Sequence, residues 1–167
     1  RHLALAYAVF LLLILTIYQA CQNDNKLSLN KTLLWGIIIG LFPFIHLPVF
    51  AMMEGTLFIF LVIYPRLRKN ILAIIGISLI ITLPQIMYSG SSNSQGIFFH
   101  PGYLIENLNI FSFIKYWFLN LGLVTILAPI GFLLAKRPQR KILLPFLAFF
   151  VIGNLFQFSQ EMAGNHK

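Results

Sequence analysis

Four histidines and four carboxylates supply nearly all the acid–base chemistry of a 167-residue chain that also carries 12 lysines and arginines. Two of these groups stand in almost unbroken apolar sequence. His46 lies between Pro43 and Pro48 in GLFPFIHLPVFAMMEG, residues 40–55, and Glu54 follows eight residues later. A charged carboxylate in hydrocarbon is costly, so such a residue calls for a local use. A histidine at this point can contact a phosphate, accept a proton, or cap carbonyls freed by the prolines. The plainer role is an interface histidine satisfied by water or a backbone carbonyl. Eight helical residues give a rise of about 12 Å and a rotation of about 80°, so His46 and Glu54 are not expected to pair directly. Glu54 is expected to face the interior of a helix bundle, neutral or hydrogen-bonded.

Two further groups lie outside the apolar runs. His100, Glu106 and Lys115 fall in a long connection, where solvation accounts for them and Lys115 can also snorkel towards lipid phosphate. Glu161, Asn165, His166 and Lys167 gather donors and one carboxylate just beyond the last apolar segment. They can hold a phosphate or pyrophosphate, or simply form a solvated helix end. No grouping has the spacing of a metal site, no cofactor is indicated, and Cys21 has no second cysteine with which to form an internal disulfide. Walker, dinucleotide-binding, HExxH and GxSxG signatures do not occur.

The elements that must position these residues are transmembrane helices. Hydrophobic residues make up 59% of the chain and charged ones 10%, with a mean hydropathy of +0.85, which excludes an ordinary soluble domain. An all-α, polytopic helical bundle of about six spans or half-spans is expected, forming a single domain over residues 1–167. The net charge of +8 resides in short loops, a topology signal rather than a nucleic-acid surface. A first residue other than methionine leads us to expect a fragment of a longer protein, whose remaining transmembrane helices would be its partners along with membrane lipid.

Residues 3–20 form the first expected span. Residues 33–64 are too long for one helix and slightly short for two, and Pro43 and Pro48 fall in the middle. A helical hairpin turning around residues 44–47 is the natural reading, one long kinked helix the alternative. Gly36 and Gly40 form a GxxxG on the first arm, where small residues allow close helix packing. Further spans are expected at 71–88, 117–135 and 142–158, with an interfacial connection over 89–116. The basic stretches PRLRKN and KRPQRK then face the cytoplasm. The PFIHLP turn, the long connection and the terminal EMAGNHK are thereby expected on the extracytoplasmic side.

In order along the chain come WGIIIGLFPFIHLPVF, a span ending TLPQ, then YWFLNLG, a basic turn, and a last span leading through NLFQFS to NHK. This arrangement resembles the C-terminal half of bacterial polytopic membrane proteins related to the C-type (GT-C) membrane glycosyltransferases. The resemblance implies a multi-pass bundle in the bacterial inner membrane with a cavity on the extracytoplasmic side, where a polyprenyl-phosphate-linked sugar donates to an acceptor. The family's glycine-rich span and polar turn correspond to Gly36, Gly40, Pro43 and His46. Its aromatic-Asn-Gly approach to a later span corresponds to Trp117, Asn120 and Gly122. Its late Asn-x-Lys corresponds to Asn165 and Lys167, with Gly164 where such proteins often carry Asp. The family's catalytic carboxylate lies in a first extracytoplasmic loop that this fragment is expected to lack, so no catalytic base is named. His46, His166 and Lys167 are the candidates for holding the donor phosphate. A transporter or channel using Glu54 as an ion or proton site, and a non-catalytic scaffold subunit, are the alternatives.

Overall fold

Heptad spacing sets the inner face of the first helix. Ala6, Phe10, Leu13, Ile17 and Ala20 recur at intervals of four and three residues and are all buried, while Leu5, Leu11, Leu12 and Leu15 face outward. The computed structural model describes residues 2–22, 26–89, 98–105 and 107–157. Their architecture is all-α apart from one pair of two-residue strands. The helices are α1 (His2–Gln22), α2 (Leu29–Leu41), α3 (Pro43–Ile63), α4 (Arg68–Ser89), α5 (Ile110–Leu121), α6 (Val124–Leu134) and α7 (Arg137–Leu155). The chain divides into two compact units, Arg1–Ser92 and Asn93–Lys167.

In the first unit α2 packs chiefly on α4, and α3 packs on both α1 and α4. The pairing of residues gives the directions. Asn70 bonds Thr32 at one end of the α2–α4 contact, Gly36 lies against Ile77, and Gln85 reaches the Gly40 carbonyl at the other, so these helices run parallel. Arg68 bonds the Leu61 carbonyl while Ser78 meets Glu54, so α3 runs antiparallel to α4. The chain therefore reverses direction between α2 and α3.

The glycines of the GxxxG bring α2 and α4 together. A Cβ on Gly36 would stand 2.7 Å from the Ile77 Cβ, and one on Gly40 would stand 2.7 Å from the Ile81 Cβ and 3.0 Å from the Ser78 carbonyl oxygen. Their helical partner is thus α4. At the near end of the bundle, Asn70 Nδ2 donates to the Leu27 carbonyl and to Thr32 Oγ1, both at 3.0 Å, fastening the start of α4 to the start of α2.

Among the described residues, three helices are long and apolar enough to cross a membrane: Leu3–Gln22, Pro43–Ile63 and Pro65–Tyr88. The other apolar segments take different forms. At 13 residues α2 extends about 20 Å, short of a hydrocarbon core about 30 Å thick. The stretch expected to cross at 117–135 is instead two helices, α5 and α6, bent by 98°; counted as one broken span, they make a fourth. Gly122 makes the bend possible with φ +58°, a left-handed conformation that side chains resist. Thr125 Oγ1 secures it by donating to the Trp117 carbonyl at 2.8 Å.

The long connection also ends earlier than expected. Asn109 accepts the Ser112 amide at 2.8 Å as an N-cap, so α5 starts at Ile110 and places Lys115 and Tyr116 on a helix rather than in a loop. KRPQRK is not simply a turn, because α7 begins at Arg137 with Pro138 in its first turn. Arg140 folds back to donate to the Ala135 and Leu133 carbonyls, capping the end of α6. A short antiparallel pairing of β1 (Phe98–Phe99) with β2 (Phe156–Gln157) closes the second unit.

Gly36→Ala and Gly40→Ala should each destabilise the protein by about 1–3 kcal/mol, the usual cost of overpacking. Gly76 on α4 has open space where a Cβ would go, so Gly76→Ala should be neutral or stabilising by up to about 1 kcal/mol. Thermal unfolding of the three variants in one detergent distinguishes these outcomes.

Candidate functional site

His46 breaks α3 in two. Its backbone is extended (φ −163°, ψ 92°) within otherwise helical sequence, and its ring Nδ1 accepts the Val49 amide at 3.3 Å. That is the role Ser or Asp plays at an N-cap, where a side-chain acceptor satisfies the amide three residues on. Residues 47–63 thus behave as a helix capped by His46, with Pro48 in their first turn, where a missing N–H costs nothing. Behind the break, the Ile45 and His46 amides both donate to the Phe42 carbonyl, at 2.9 and 2.8 Å. The histidine therefore caps an amide and not, as one expectation had it, a freed carbonyl. With Nδ1 occupied as an acceptor, Nε2 is the ring's N–H donor. The side chain is half-buried, at the end of the bundle opposite Arg68 and Asn70.

Glu54 lies on the buried face of α3 with Val49, Phe50, Met53, Leu57 and Phe60. Its partner is Ser78 on α4, whose Oγ stands 2.5 Å from Glu54 Oε1 and 2.8 Å from the Ile75 carbonyl oxygen. Ser78 opens a polar stripe. Ser78, Thr82 and Gln85 recur at i, i+4 and i+7 on α4 and are all buried, continuing the apolar stripe of Leu67, Ile71 and Ile74. Thr82 Oγ1 and Gln85 Nε2 both donate to the Gly40 carbonyl, at 3.2 and 2.7 Å. Gly40 is among the last four residues of α2, whose carbonyls lack intrahelical amides, and Pro43 supplies none. Among the described residues, the buried atoms Glu54 Oε2, Thr56 Oγ1 and Gln85 Oε1 have no hydrogen-bond partner.

The second unit holds a separate polar knot. Asn154 near the end of α7 accepts the Trp117 indole N–H on Oδ1 at 3.1 Å, donates from Nδ2 to the Phe150 carbonyl, and takes the Gly102 amide on its own carbonyl at 2.8 Å. Trp117 also lies against Phe150, ring centroids 4.8 Å apart. His100 is exposed, bonds the Leu155 carbonyl through its amide, and places Nδ1 3.3 Å from Gln157 Oε1. Burial, and secondarily Tyr116, pushes the Tyr103 hydroxyl above the ordinary tyrosine range. Asn120 Nδ2 donates to the Tyr116 carbonyl one turn back at 2.8 Å, a bond within its own helix.

Of the residues expected to form a site, His46 and Glu54 both lie in the first unit, each with a different partner. Asn165, His166 and Lys167, as well as Glu106 and Glu161, lie outside the described residues. No group of three or more His, Cys, Asp or Glu able to hold a metal is present among the described residues. Ser78, Thr82, Gln85 and Asn154 were not among the expected site residues, although Thr82 and Gln85 lie in TLPQ and Asn154 in NLFQFS. The first three carried a usable signal, polar residues at helical spacing in an otherwise apolar span. No protein-family model matches the chain, and neither a curated protein nor a solved structure is significantly similar to it.

His46→Ala should cost about 0.5–2 kcal/mol through loss of the cap, whereas His46→Asn, which retains a side-chain acceptor, should recover most of it. Thermal denaturation in detergent measures both.

Proposed function

We propose that this chain belongs to a multi-pass glycosyltransferase-like protein of GT-C type in the bacterial inner membrane. It would transfer a sugar from a polyprenyl-phosphate donor at the extracytoplasmic face. The observation that carries this reading is the state of His46. Its ring is fixed by the Val49 amide on one nitrogen, which leaves Nε2–H as a positioned donor at a helix break within apolar sequence. Non-helical backbone at membrane depth is tolerated where it is buried in protein or lines a cavity, and a donor there suits an anionic oxygen.

The distribution of charge supports the orientation. Lys31, Arg66, Arg68 and Lys69 lie towards the end of the first unit at which α2 and α4 begin, and His46 lies at the other end. By the positive-inside tendency, the basic end is cytoplasmic and His46 is extracytoplasmic. A lipid-linked donor entering from the bilayer would then present its phosphate to Nε2–H while an acceptor hydroxyl attacks the anomeric carbon. As the bond from that carbon to the phosphate oxygen breaks, negative charge gathers on the phosphate. A fixed N–H directed there stabilises the departing group more than the ground state. No residue described here is assigned as the base that activates the acceptor.

The two roles of His46 separate experimentally. In the full protein, His46→Asn should fold normally yet lower kcat/KM for sugar transfer from a polyprenyl-phosphate donor roughly tenfold to a hundredfold. That corresponds to losing a hydrogen bond to a charged group, about 1.5–3 kcal/mol. Transfer at the wild-type rate in a stably folded His46→Asn variant would remove the phosphate-holding role and leave His46 as a helix cap.

A further inference from the structure

The contact between α3 and α4 contains one more hydrogen-bond requirement than an ionised carboxylate can meet. Ser78 Oγ is at hydrogen-bonding distance from two acceptors, Glu54 Oε1 at 2.5 Å and the Ile75 carbonyl at 2.8 Å. A serine hydroxyl has a single hydrogen and two lone pairs. Were Glu54 ionised, that hydrogen would be contested. The other carboxylate oxygen, Oε2, would also carry charge with no partner, in a side chain only 8% exposed. If the carboxyl carries the proton, both contacts form together: Glu54 O–H donates to Ser78 Oγ, and Ser78 O–H donates to the Ile75 carbonyl. Oε2 is then a neutral carbonyl oxygen, far cheaper to leave unpaired.

We infer that Glu54 binds a proton and heads a hydrogen-bonded chain, Glu54 to Ser78 to the Ile75 carbonyl, that fastens α3 to α4 within the membrane. A metal cation fits the geometry less well. A hard cation takes six or more oxygen ligands, and among the described residues no group of three or more His, Cys, Asp or Glu is present to supply them. No side-chain cation takes the proton's place either, since Ser78 is the only hydrogen-bond partner of Glu54 among the described residues. The charged and titratable groups on the elements packed against α3 are His2, Tyr7, Tyr18 and Cys21 on α1, Lys31 on α2, Arg66 before α4, and Arg68, Lys69 and Tyr88 on α4. Arg68 and Lys69 precede Ser78 by about 14 Å of helix. The proton is therefore structural, and this inference stands independently of the transferase reading.

Infrared spectroscopy of the full protein in lipid at neutral pH tests it directly. The expected spectrum contains a carboxylic-acid C=O band that is lost in Glu54→Gln and moves to higher frequency in Ser78→Ala. Glu54→Gln should keep the wild-type thermal midpoint, because its amide N–H donates to Ser78 in place of the acid, while Ser78→Ala should lower it. Loss of a carboxylate band instead of an acid band in Glu54→Gln would overturn the inference. So would a pH-dependent flux in proteoliposomes that Glu54→Gln abolishes. If Glu54→Gln does not fold, wild-type protein labelled with 13C at the glutamate carboxyl decides the matter. An isotope-shifted acid band that responds to Ser78→Ala supports the proton, and carboxylate bands alone refute it.

Discussion

The close approach of α2 to α4 is the constraint on which the first unit depends. Gly36 and Gly40 leave no room for a Cβ, so the backbones of the two helices lie near enough for polar side chains of α4 to reach a carbonyl of α2. In lipid there is no hydrophobic force between apolar helices, and association rests on van der Waals contact and hydrogen bonds. The glycines provide the first and make the second geometrically possible. Once α2 is set against α4, the Gly40 carbonyl falls within reach of Thr82 and Gln85, and the chain can leave α2 through Pro43 without a buried carbonyl left unpaired.

At two helix junctions the freed backbone groups are met by a nearby group of matching chemistry. At the α2–α3 turn the carbonyl of Gly40 is met from α4, while the amide of Val49 is met by His46. At the α6–α7 junction Arg140 serves the last carbonyls of α6. This matters more in a bilayer than in water, because an unmet backbone group in hydrocarbon costs several kcal/mol and has no solvent to turn to. Gly40, Pro43 and Pro48 are thus tolerated in this apolar run through specific partners. His46 shows how one residue can be structural on one nitrogen and available on the other.

In the second unit, Asn154 plays the organising part that the glycines play in the first. It joins the indole of α5, the backbone at Gly102 and its own helix α7, and the short pairing of 98–99 with 156–157 lies beside it. Trp117 is consequently part of an aromatic cluster with Phe113, Tyr116 and Phe150. Lys115 belongs to the same helix, since the Asn109 cap extends α5 back to Ile110.

Composition and periodicity by themselves determined the all-α, membrane-spanning character of the chain, because hydrophobicity and helical stripes are local properties of sequence. The GxxxG spacing also marked a site of close packing, and Pro43 and Pro48 marked where a helix breaks, whereas Pro84, Pro129 and Pro145 lie inside continuous helices. What periodicity could not determine was the partner of each face. Gly36 and Gly40 signal that some helix approaches closely, and only tertiary structure made it α4, running parallel, with Ser78, Thr82 and Gln85 on the apposed surface. Likewise, the eight-residue separation told against a His46–Glu54 pair without naming Val49 or Ser78 in its place. The 98° bend after α5 was equally beyond an apolar run of spanning length, because hydropathy is indifferent to direction and the bend depends on the φ of Gly122 and the bond from Thr125 to Trp117. Local chemistry sets where a membrane helix starts, stops and hides its polar groups, but which groups meet depends on how helices far apart in sequence come to lie side by side.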